Sequence, residues 1–201
     1  DSTGSLTDLD GDGRPEWLIT EEGMRGSFTL APDGIWGSWK PLLSLPSEYG
    51  HPAAQMTDLT GDGRSDVVML HALGPRSVRL YPSAGADGWL AAVTAQYAGR
   101  EALPLLDKAD RQLVAFADPA GSGQSHLLRI TGDDVTLWPS LGYGRFDEAI
   151  SISGFKVDDF NASRVFLADT DGTGTTDILY LEPARIRVFI SQCGNRFVEG
   201  P

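Results

Sequence analysis

The chain has 201 residues, and its 16 lysines and arginines face 28 aspartates and glutamates, for a formal net charge of −12. This acidic balance repels nucleic acid and anionic membrane surfaces, and the basic residues form no cluster that would reverse it. No apolar stretch approaches the length of a membrane span and residues 1–4 lack signal-peptide character, so we expect no direct membrane insertion. The single cysteine, Cys193, has no partner for an internal disulfide, so stability must come from strand pairing and packing.

An acidic, glycine-rich stretch of nine residues recurs four times along the chain. Its copies cover 8–16, 58–66, 118–126 and 169–177, and a short apolar run follows each of them. Self-similarity at a period of roughly fifty residues is typical of propellers and solenoids. We call these copies the first to fourth loops and number their positions 1 to 9.

The signals around each loop repeat in the same order. In the first unit, the apolar run at 17–19 is followed by a polar turn, an alternating segment at 27–30 and a glycine close to Trp36. Alternation of β-branched and aromatic residues with polar ones predicts half-buried strands. A further strand is predicted before each loop, most clearly at 113–116 and 164–167. Three to four short antiparallel strands per unit predict a propeller blade.

We therefore predict an all-β fold, a β-propeller segment of four blades that forms one domain over 1–201. The repeats cover approximately 5–50, 51–110, 111–160 and 161–201. If four units close into a ring, strand 5–7 would pair with 196–198 and remove the exposed strand edges. If they do not close, the open edges should promote self-association.

The first loop has the composition of a calcium site. Positions 1, 3, 5 and 9 place side-chain oxygens around one centre, position 7 offers a backbone carbonyl, and glycines at positions 4 and 6 permit the tight turn. The predicted ligands are the carboxylates of Asp8, Asp10, Asp12 and Glu16 and the carbonyl of Arg14. The ion, Ca²⁺, would have a structural role.

The other loops have fewer carboxylates. The second keeps Asp58, Asp62 and Asp66, and the fourth keeps Asp169, Asp171 and Asp177, so weaker calcium binding is predicted in both. The third has Ala120, Ser122 and His126 at positions 3, 5 and 9, and we expect no calcium there. An ion-free interpretation remains open for all four loops, because Asp side chains also stabilise turns through nearby backbone amides.

Catalytic signatures are absent from the sequence, so we predict a protein that is not an enzyme. His51, His71 and His126 lie at no metal-ligand spacing from one another, and neither a nucleophile elbow nor a phosphate-binding loop occurs. A glycosidase needs two carboxyl groups at a fixed separation across a sugar. The regular place of the carboxylates in repeated turns favours a structural role instead.

The aromatic residues indicate carbohydrate binding as an alternative function. Exposed rings could stack against sugars, and the candidates are Trp36, Trp39, Trp89, Trp138 and Tyr143. Their recurrence at one place in each unit favours packing between blades.

The loop and the strand after it resemble the FG-GAP and VCBS repeats of integrin-like propellers. A closer resemblance rests on the segments 49–63, 113–118, 121–127, 137–146 and 166–177. Taken in order, they resemble the middle region of the B component of bacterial insecticidal toxin complexes, the Tc toxins, and the related region of SpvB-type virulence proteins. The resemblance extends from about residue 6 to residue 199.

This resemblance implies a module of a large secreted bacterial toxin subunit. In that family the B and C components form a hollow shell around a toxic enzyme, and a propeller of B docks on the pore-forming A component and gates passage of the unfolded effector. The implied partners are the A and C components, with no nucleic acid. The family's propeller has more blades than the four units here, so the resemblance implies part of a larger propeller. The alternative is a free-standing integrin-like adhesion or glycan-binding module.

Overall fold

The computed structural model describes residues 4–105 and 111–200, which form an all-β structure. Four antiparallel sheets follow one another along the chain, and each has four strands in chain order. The helical elements of the described residues are two short 3-10 helices, Gly85–Asp87 and Ala162–Arg164. No helix in this part of the chain is long and apolar enough to span a membrane.

Each sheet is one blade. Blade 1 consists of β1 (Gly4–Thr7), β2 (Glu16–Glu21), β3 (Met24–Thr29) and β4 (Lys40–Pro41). Blade 2 consists of β5 (Ala54–Thr57), β6 (Asp66–Leu70), β7 (Ser77–Tyr81) and β8 (Val93–Gln96). Blade 3 consists of β9 (Leu113–Ala117), β10 (His126–Ile130), β11 (Val135–Trp138) and β12 (Ile150–Ile152). Blade 4 consists of β13 (Val165–Ala168), β14 (Asp177–Leu181), β15 (Ile186–Ser191) and β16 (Phe197–Glu199).

The acidic loop joins the first two strands of every blade. Its position 9 is the first residue of the second strand and lies opposite the last residue of the first strand. The four cross-strand pairs are Thr7 with Glu16, Thr57 with Asp66, Ala117 with His126, and Ala168 with Asp177. Because the register is the same in each sheet, the four loops occupy the same corner of their blades.

Consecutive blades pack face to face through apolar cores. Val67 and Val68 are neighbours in β6 but belong to different cores, because successive side chains leave opposite faces of a strand. The cores include Leu18, Val67 and Trp89 between blades 1 and 2, Val68, Leu80, Leu127 and Trp138 between blades 2 and 3, and Leu128, Leu137, Ile178 and Phe189 between blades 3 and 4. Fully burying one such aliphatic side chain contributes about 1.5–3 kcal/mol. The predicted all-β propeller arrangement of four blades is confirmed.

β1 is an edge strand of blade 1, and β16 is an edge strand of blade 4. Among the described strands, β1 pairs with β2 and β16 pairs with β15. The ring-closing pairing of 5–7 with 196–198 is therefore not formed. Blades contact one another mainly through side chains, since face-to-face sheets lie about 10 Å apart. The described residues form an open series of four blades.

Candidate functional site

The four acidic loops lie next to one another on one side of the blades. The Arg64 side chain donates a hydrogen bond through Nε to the Asp10 carbonyl over 3.3 Å, which joins the second loop to the first. A Cβ atom on Gly11, which has φ +77°, would lie 2.7 Å from the Gly63 carbonyl oxygen. The close approach of these two loops thus requires glycine at this position.

The third and fourth loops are joined by two hydrogen bonds. The Thr176 amide donates to the Asp118 carbonyl over 2.8 Å, and the Asp118 amide donates to Thr176 Oγ1 over 3.1 Å. Turns also reach back to the loop of the preceding blade. The Ser191 hydroxyl donates to the Pro119 carbonyl over 2.6 Å, and the Tyr143 amide donates to the Leu59 carbonyl over 2.8 Å. Each loop is therefore held by its neighbouring blade as well as its own.

The aspartate at position 1 organises the turn in every loop. In the first loop, Asp8 accepts hydrogen bonds from the amides of Gly11 and Gly13, both over 2.8 Å. The other members, Asp58, Asp118 and Asp169, each accept from two or more amides of their own loop. This explains why position 1 is Asp even in the third loop, which has no other carboxylate.

Position 9 is a buried acceptor that ties the loop to the rest of its blade. Asp66 accepts from the Leu59 amide over 2.9 Å and from the Ser83 amide, beyond β7, over 2.8 Å. Asp177 accepts from the Thr170 and Ser191 amides over 3.0 and 2.8 Å. We call this arrangement the position-9 latch. It joins the start of the loop to the end of the third strand of the blade, as at Ser191, or to the turn just after that strand, as at Ser83.

Glu16 forms only part of this latch in blade 1. Its Oε2 accepts from the Leu9 amide over 2.8 Å, but its Oε1 is buried without a hydrogen-bond partner. Burial raises the pKa of the Glu16 carboxyl, and the negative charges of Asp10, Asp8 and Asp12 raise it further. The first loop therefore holds a buried carboxylate oxygen that lacks a positive or donor group.

Two of the loops group three carboxylates closely enough for one cation. Among the described residues, these sets are Asp8, Asp10 and Glu16, and Asp169, Asp171 and Asp177, with ligand oxygens within 4.8 Å of one another. Asp12 lies outside the first set, and its Oδ1 accepts from the Arg14 amide over 2.8 Å. The second loop forms no such set, because it has Thr60 rather than an aspartate at position 3.

The first loop fits a cation better than the fourth. The unpartnered oxygen of Glu16 and the mutual repulsion of its neighbours are both relieved by a positive ion. In the fourth loop, both oxygens of Asp177 already accept backbone amides. Amides of the same loop, led by that of Gly174, lower the pKa of Asp169. The fourth loop therefore satisfies much of its charge without an ion.

The third loop contains a serine, a histidine and an aspartate that sequence spacing did not single out. Ser122 Oγ lies 3.0 Å from His126 Nε2, and Asp118 Oδ1 lies 3.7 Å from the same nitrogen. The Ser140 amide donates to His126 Nδ1, so the proton of the neutral ring is on Nε2. Nε2 is then unable to take a proton from Ser122, and the aspartate is on the wrong side of the ring for a catalytic triad.

The aromatic residues considered for glycan stacking do not form one platform. Trp89 and Trp138 are buried between blades, whereas Trp36 and Tyr143 are exposed on different blades. Trp39 packs against Phe28, with ring centroids 5.1 Å apart. The recurring aromatic position is thus part of blade packing wherever a neighbouring blade covers it.

Comparison with known proteins agrees with these repeats. The sequence model of the FG-GAP-like repeat matches residues 8–69. No curated protein matches the sequence. A chain of the Photorhabdus luminescens Tc holotoxin pore is 44% identical over 99% of this chain and 9% of its own length, with a TM-score of 0.89.

Two further solved structures are similar. A TcdB2-TccC3 structure without the hypervariable C-terminal region is 31% identical over 100% of this chain and 12% of its own, with a TM-score of 0.51. An Agrocybe aegerita lectin that recognises non-reducing terminal N-acetylglucosamine is 21% identical over 99% of this chain and 51% of its own, with a TM-score of 0.60. The lectin shares the fold alone.

The chain spans only 9% to 12% of the toxin chains that it matches. Within that span, the match is nearly complete and includes the repeats that first indicated the relationship. The chain belongs to the Tc toxin family, as a β-propeller segment built from FG-GAP-like repeats.

Proposed function

We propose that this chain is a non-catalytic propeller module of a Tc toxin B component. In this proposal the propeller docks on the pore-forming A component and gates passage of the effector, and the C component completes the shell. The observation that carries it is the 44% identity over 99% of the chain to a Tc holotoxin chain. Family membership also supports a secreted, extracellular location.

The chemistry of the loops supports a binding role. In the first, second and fourth loops, the aspartates at position 1 accept hydrogen bonds from backbone amides of their own loop. In the third loop, the tautomer of His126 removes its capacity as a base for Ser122. These groups hold the loops in place, which suits a rigid surface for another protein.

We also propose that the first loop holds a structural Ca²⁺. Asp8, Asp10 and the unpartnered oxygen of Glu16 would be its side-chain ligands, with Asp12 and the Arg14 carbonyl as further oxygens of the same loop. The ion would supply the positive charge that the buried Glu16 lacks. The second and fourth loops are weaker candidates, because the latch already uses Asp66 and Asp177.

A segment exchange tests the docking proposal. The matching segment of the Photorhabdus luminescens Tc chain is replaced by this 201-residue chain, and a control chimera receives the matching segment of the Agrocybe aegerita lectin. Binding of each chimera to the A component and delivery of effector into cells are measured separately. We expect the first chimera to dock and deliver and the lectin chimera to fail.

Two outcomes contradict the docking proposal. A correctly folded first chimera that no longer binds the A component would remove the docking role. Docking by both chimeras would show that this segment does not determine recognition. Docking without delivery by the first chimera would retain the docking function and remove the gating function.

A further inference from the structure

The sequence contains Asp-Gly pairs both inside and outside the acidic loops. The aspartates of these pairs are Asp10, Asp12, Asp33, Asp62, Asp87 and Asp171. In such a pair, the amide nitrogen of the glycine can attack Cγ of the aspartate, because glycine has no Cβ atom to hinder the approach. Asp-Gly pairs are therefore the places where this backbone is open to a spontaneous chemical change.

The change needs no reagent other than water. The glycine nitrogen forms a bond to Cγ, and the amide proton leaves with the carboxyl hydroxyl as water, which gives a cyclic succinimide. Water then opens the ring. If it adds to the main-chain carbonyl, the bond from that carbonyl to the glycine nitrogen breaks and isoaspartate results. The backbone then passes through Cβ and Cγ and is one carbon longer, and the former main-chain carbonyl is a free carboxylate.

In the acidic loops, a carboxylate holds the glycine amide of each pair. Asp8 accepts from the amides of Gly11 and Gly13, both over 2.8 Å. In the second and fourth loops, the aspartate at position 1 accepts from the glycine amide of the pair in the same way. An amide that faces a negative charge loses its proton less readily. The aspartate at position 1 therefore makes the glycine nitrogen a poorer nucleophile.

The carboxylate of the pair is usually held as well, by the amide two residues further along the chain. Asp62 accepts from the Arg64 amide over 3.0 Å, and Asp10 accepts from the Asp12 amide over 3.2 Å. The same hydrogen bond is made by Asp12, Asp33 and Asp171. This turn keeps the carboxylate on the second amide instead of the adjacent one, which is the attacking group.

The pair Asp87-Gly88 is different. The amide two residues after Asp87 belongs to Trp89, and it donates to Ser44 Oγ, just after blade 1, over 3.0 Å. Within the described ranges, no hydrogen bond or ion pair holds the exposed Asp87 carboxylate. The Gly88 amide donates over 2.9 Å to the neutral carbonyl of Gly85. Packing of blade 2 on blade 1 thus takes away the donor that holds the carboxylate in the other pairs.

We propose that Asp87-Gly88 is a site of isoaspartate formation in the folded chain, and that the hydrogen bonds of the acidic loops protect the other pairs there. The aspartates at position 1 then have a chemical role in addition to shaping the turn. This role requires neither a bound ion nor a partner protein.

Isoaspartate at residue 87 should loosen the contact between blades 1 and 2. The Asp87 carbonyl accepts from the amides of Leu43 and Ser44 over 3.0 and 3.3 Å. The space beside Gly88 is filled, since a Cβ atom there would clash with the Ser44 carbonyl oxygen. An added backbone carbon has no room at this point and displaces the Asp87 carbonyl. We therefore expect both hydrogen bonds to be lost.

Ageing of the folded chain tests the proposal. The 201-residue chain is kept at 37 °C and neutral pH in EDTA, so that no metal ion protects the loops. Isoaspartate at each pair is measured by peptide mapping with mass spectrometry and by isoaspartyl methyltransferase labelling. Asp87 should be converted more than about fivefold faster than any loop pair, the effect of one hydrogen bond of ordinary strength. In urea, all the pairs should react at similar rates. Asp87→Glu should abolish the signal at residue 87, because the larger ring forms far more slowly.

Asp58→Asn tests the protection of the second loop. An amide side chain has one acceptor oxygen, so it cannot hold both Gly61 and Gly63 as Asp58 does. Isoaspartate at Asp62 should then form more than about fivefold faster. Asp147→Asn, at an exposed position outside the pairs, should leave the rate at Asp62 unchanged.

Circular dichroism and thermal melting check that each variant is folded. Asp169→Asn, with Asp171 as the reporting residue, takes the place of Asp58→Asn if that variant is not. In aged chains separated by their isoaspartate content, hydrogen exchange at the amides of Leu43 and Ser44 should be faster. Unchanged exchange would remove the expected effect on the contact between blades 1 and 2.

Two results overturn the proposal. One is a folded chain in which isoaspartate forms at Asp87 no faster than at the loop pairs. The other is an unchanged rate at the reporting aspartate of a folded position-1 variant, because the hydrogen bonds to position 1 would then give no protection.

Discussion

The backbone amide of Ser140 donates a hydrogen bond to Nδ1 of His126 over 2.9 Å. In blades 2 and 4 the corresponding amides, of Ser83 and Ser191, donate to carboxylates at position 9. His126 therefore takes the place of Asp in the latch of blade 3. A protonated imidazole has no free lone pair, so this latch forms only with neutral His126.

Stability of the chain should depend on pH through His126. Burial lowers the pKa of His126, and the charge of Asp118 opposes this only in part. The unfolded chain then binds the proton more tightly than the folded one. The stabilisation of the folded chain by neutral His126 is complete above the pKa of His126 in the unfolded chain, about 6.5. It decreases as the pH falls from there through the lower pKa of His126 in the folded chain.

The substitution His126→Asp separates this pH dependence from that of other groups, because it places at position 9 of blade 3 the carboxylate that the other blades have there. Urea unfolding free energies between pH 7.5 and 5 should decline less steeply for the variant than for the wild type. His51→Gln, at an exposed position, serves as control and should decline as the wild type does. Equal slopes for the wild type and His126→Asp would exclude His126 as the source.

Removal of the Asp66 carboxylate should be strongly destabilising. Asp66 is buried and accepts from the amides of Leu59, Thr60 and Ser83, so Asp66→Ala leaves three donors without their acceptor. We expect a loss of about 3 kcal/mol or more in the free energy of unfolding. Asp62→Ala, an exposed carboxylate of the same loop, should cost roughly 0.5 kcal/mol. Similar losses in urea titrations would contradict the latch.

Calcium should stabilise the chain through the first loop. At a Ca²⁺ concentration of about 100 times the dissociation constant, the free energy of unfolding should increase by roughly 2.7 kcal/mol, which is measured as a higher melting temperature. Glu16→Gln should remove most of this gain, because it takes away the negative charge of the buried ligand. Asp33→Asn, an exposed carboxylate of blade 1 outside the loops, should keep it. A wild-type melting temperature that is the same in EDTA and in calcium would end the metal proposal.

Trp89 and Trp36 occupy equivalent positions in blades 2 and 1, but their truncation to alanine should reduce stability by very different amounts. Trp89 is buried between blades 1 and 2 and donates from its indole nitrogen to the Ser65 carbonyl, so Trp89→Ala should cost about 3–5 kcal/mol. At concentrations where the chain is monomeric, Trp36→Ala should change stability by less than about 1 kcal/mol. Chemical denaturation of the two variants checks this. A comparable loss for Trp36→Ala would mean that blade 1 is covered from within the chain.

Much of the fold could be predicted from the chain itself. The loops at 8–16 and 58–66, with the alternating segments after them, predicted blades of three to four short antiparallel strands. The resemblance to the Tc toxin family, stated from these segments, was confirmed by the 44% identical match. The calcium ligands stay a prediction, and the structure adds a buried oxygen of Glu16 that makes the first loop the best candidate.

The sequence alone determined those features that depend on residues close to one another along the chain. Side-chain alternation and glycines with positive φ act over a few residues, so strands, turns and the repeat are visible without coordinates. Only the tertiary structure decided what depends on residues a blade away. The sequence predicts position 9 as a metal ligand, and the structure adds that Asp66 and Asp177 accept amides from the end of the third strand or from the turn after it. Likewise, Trp36 and Trp89 look alike in sequence, and only the presence or absence of a neighbouring blade separates a core residue from an exposed one.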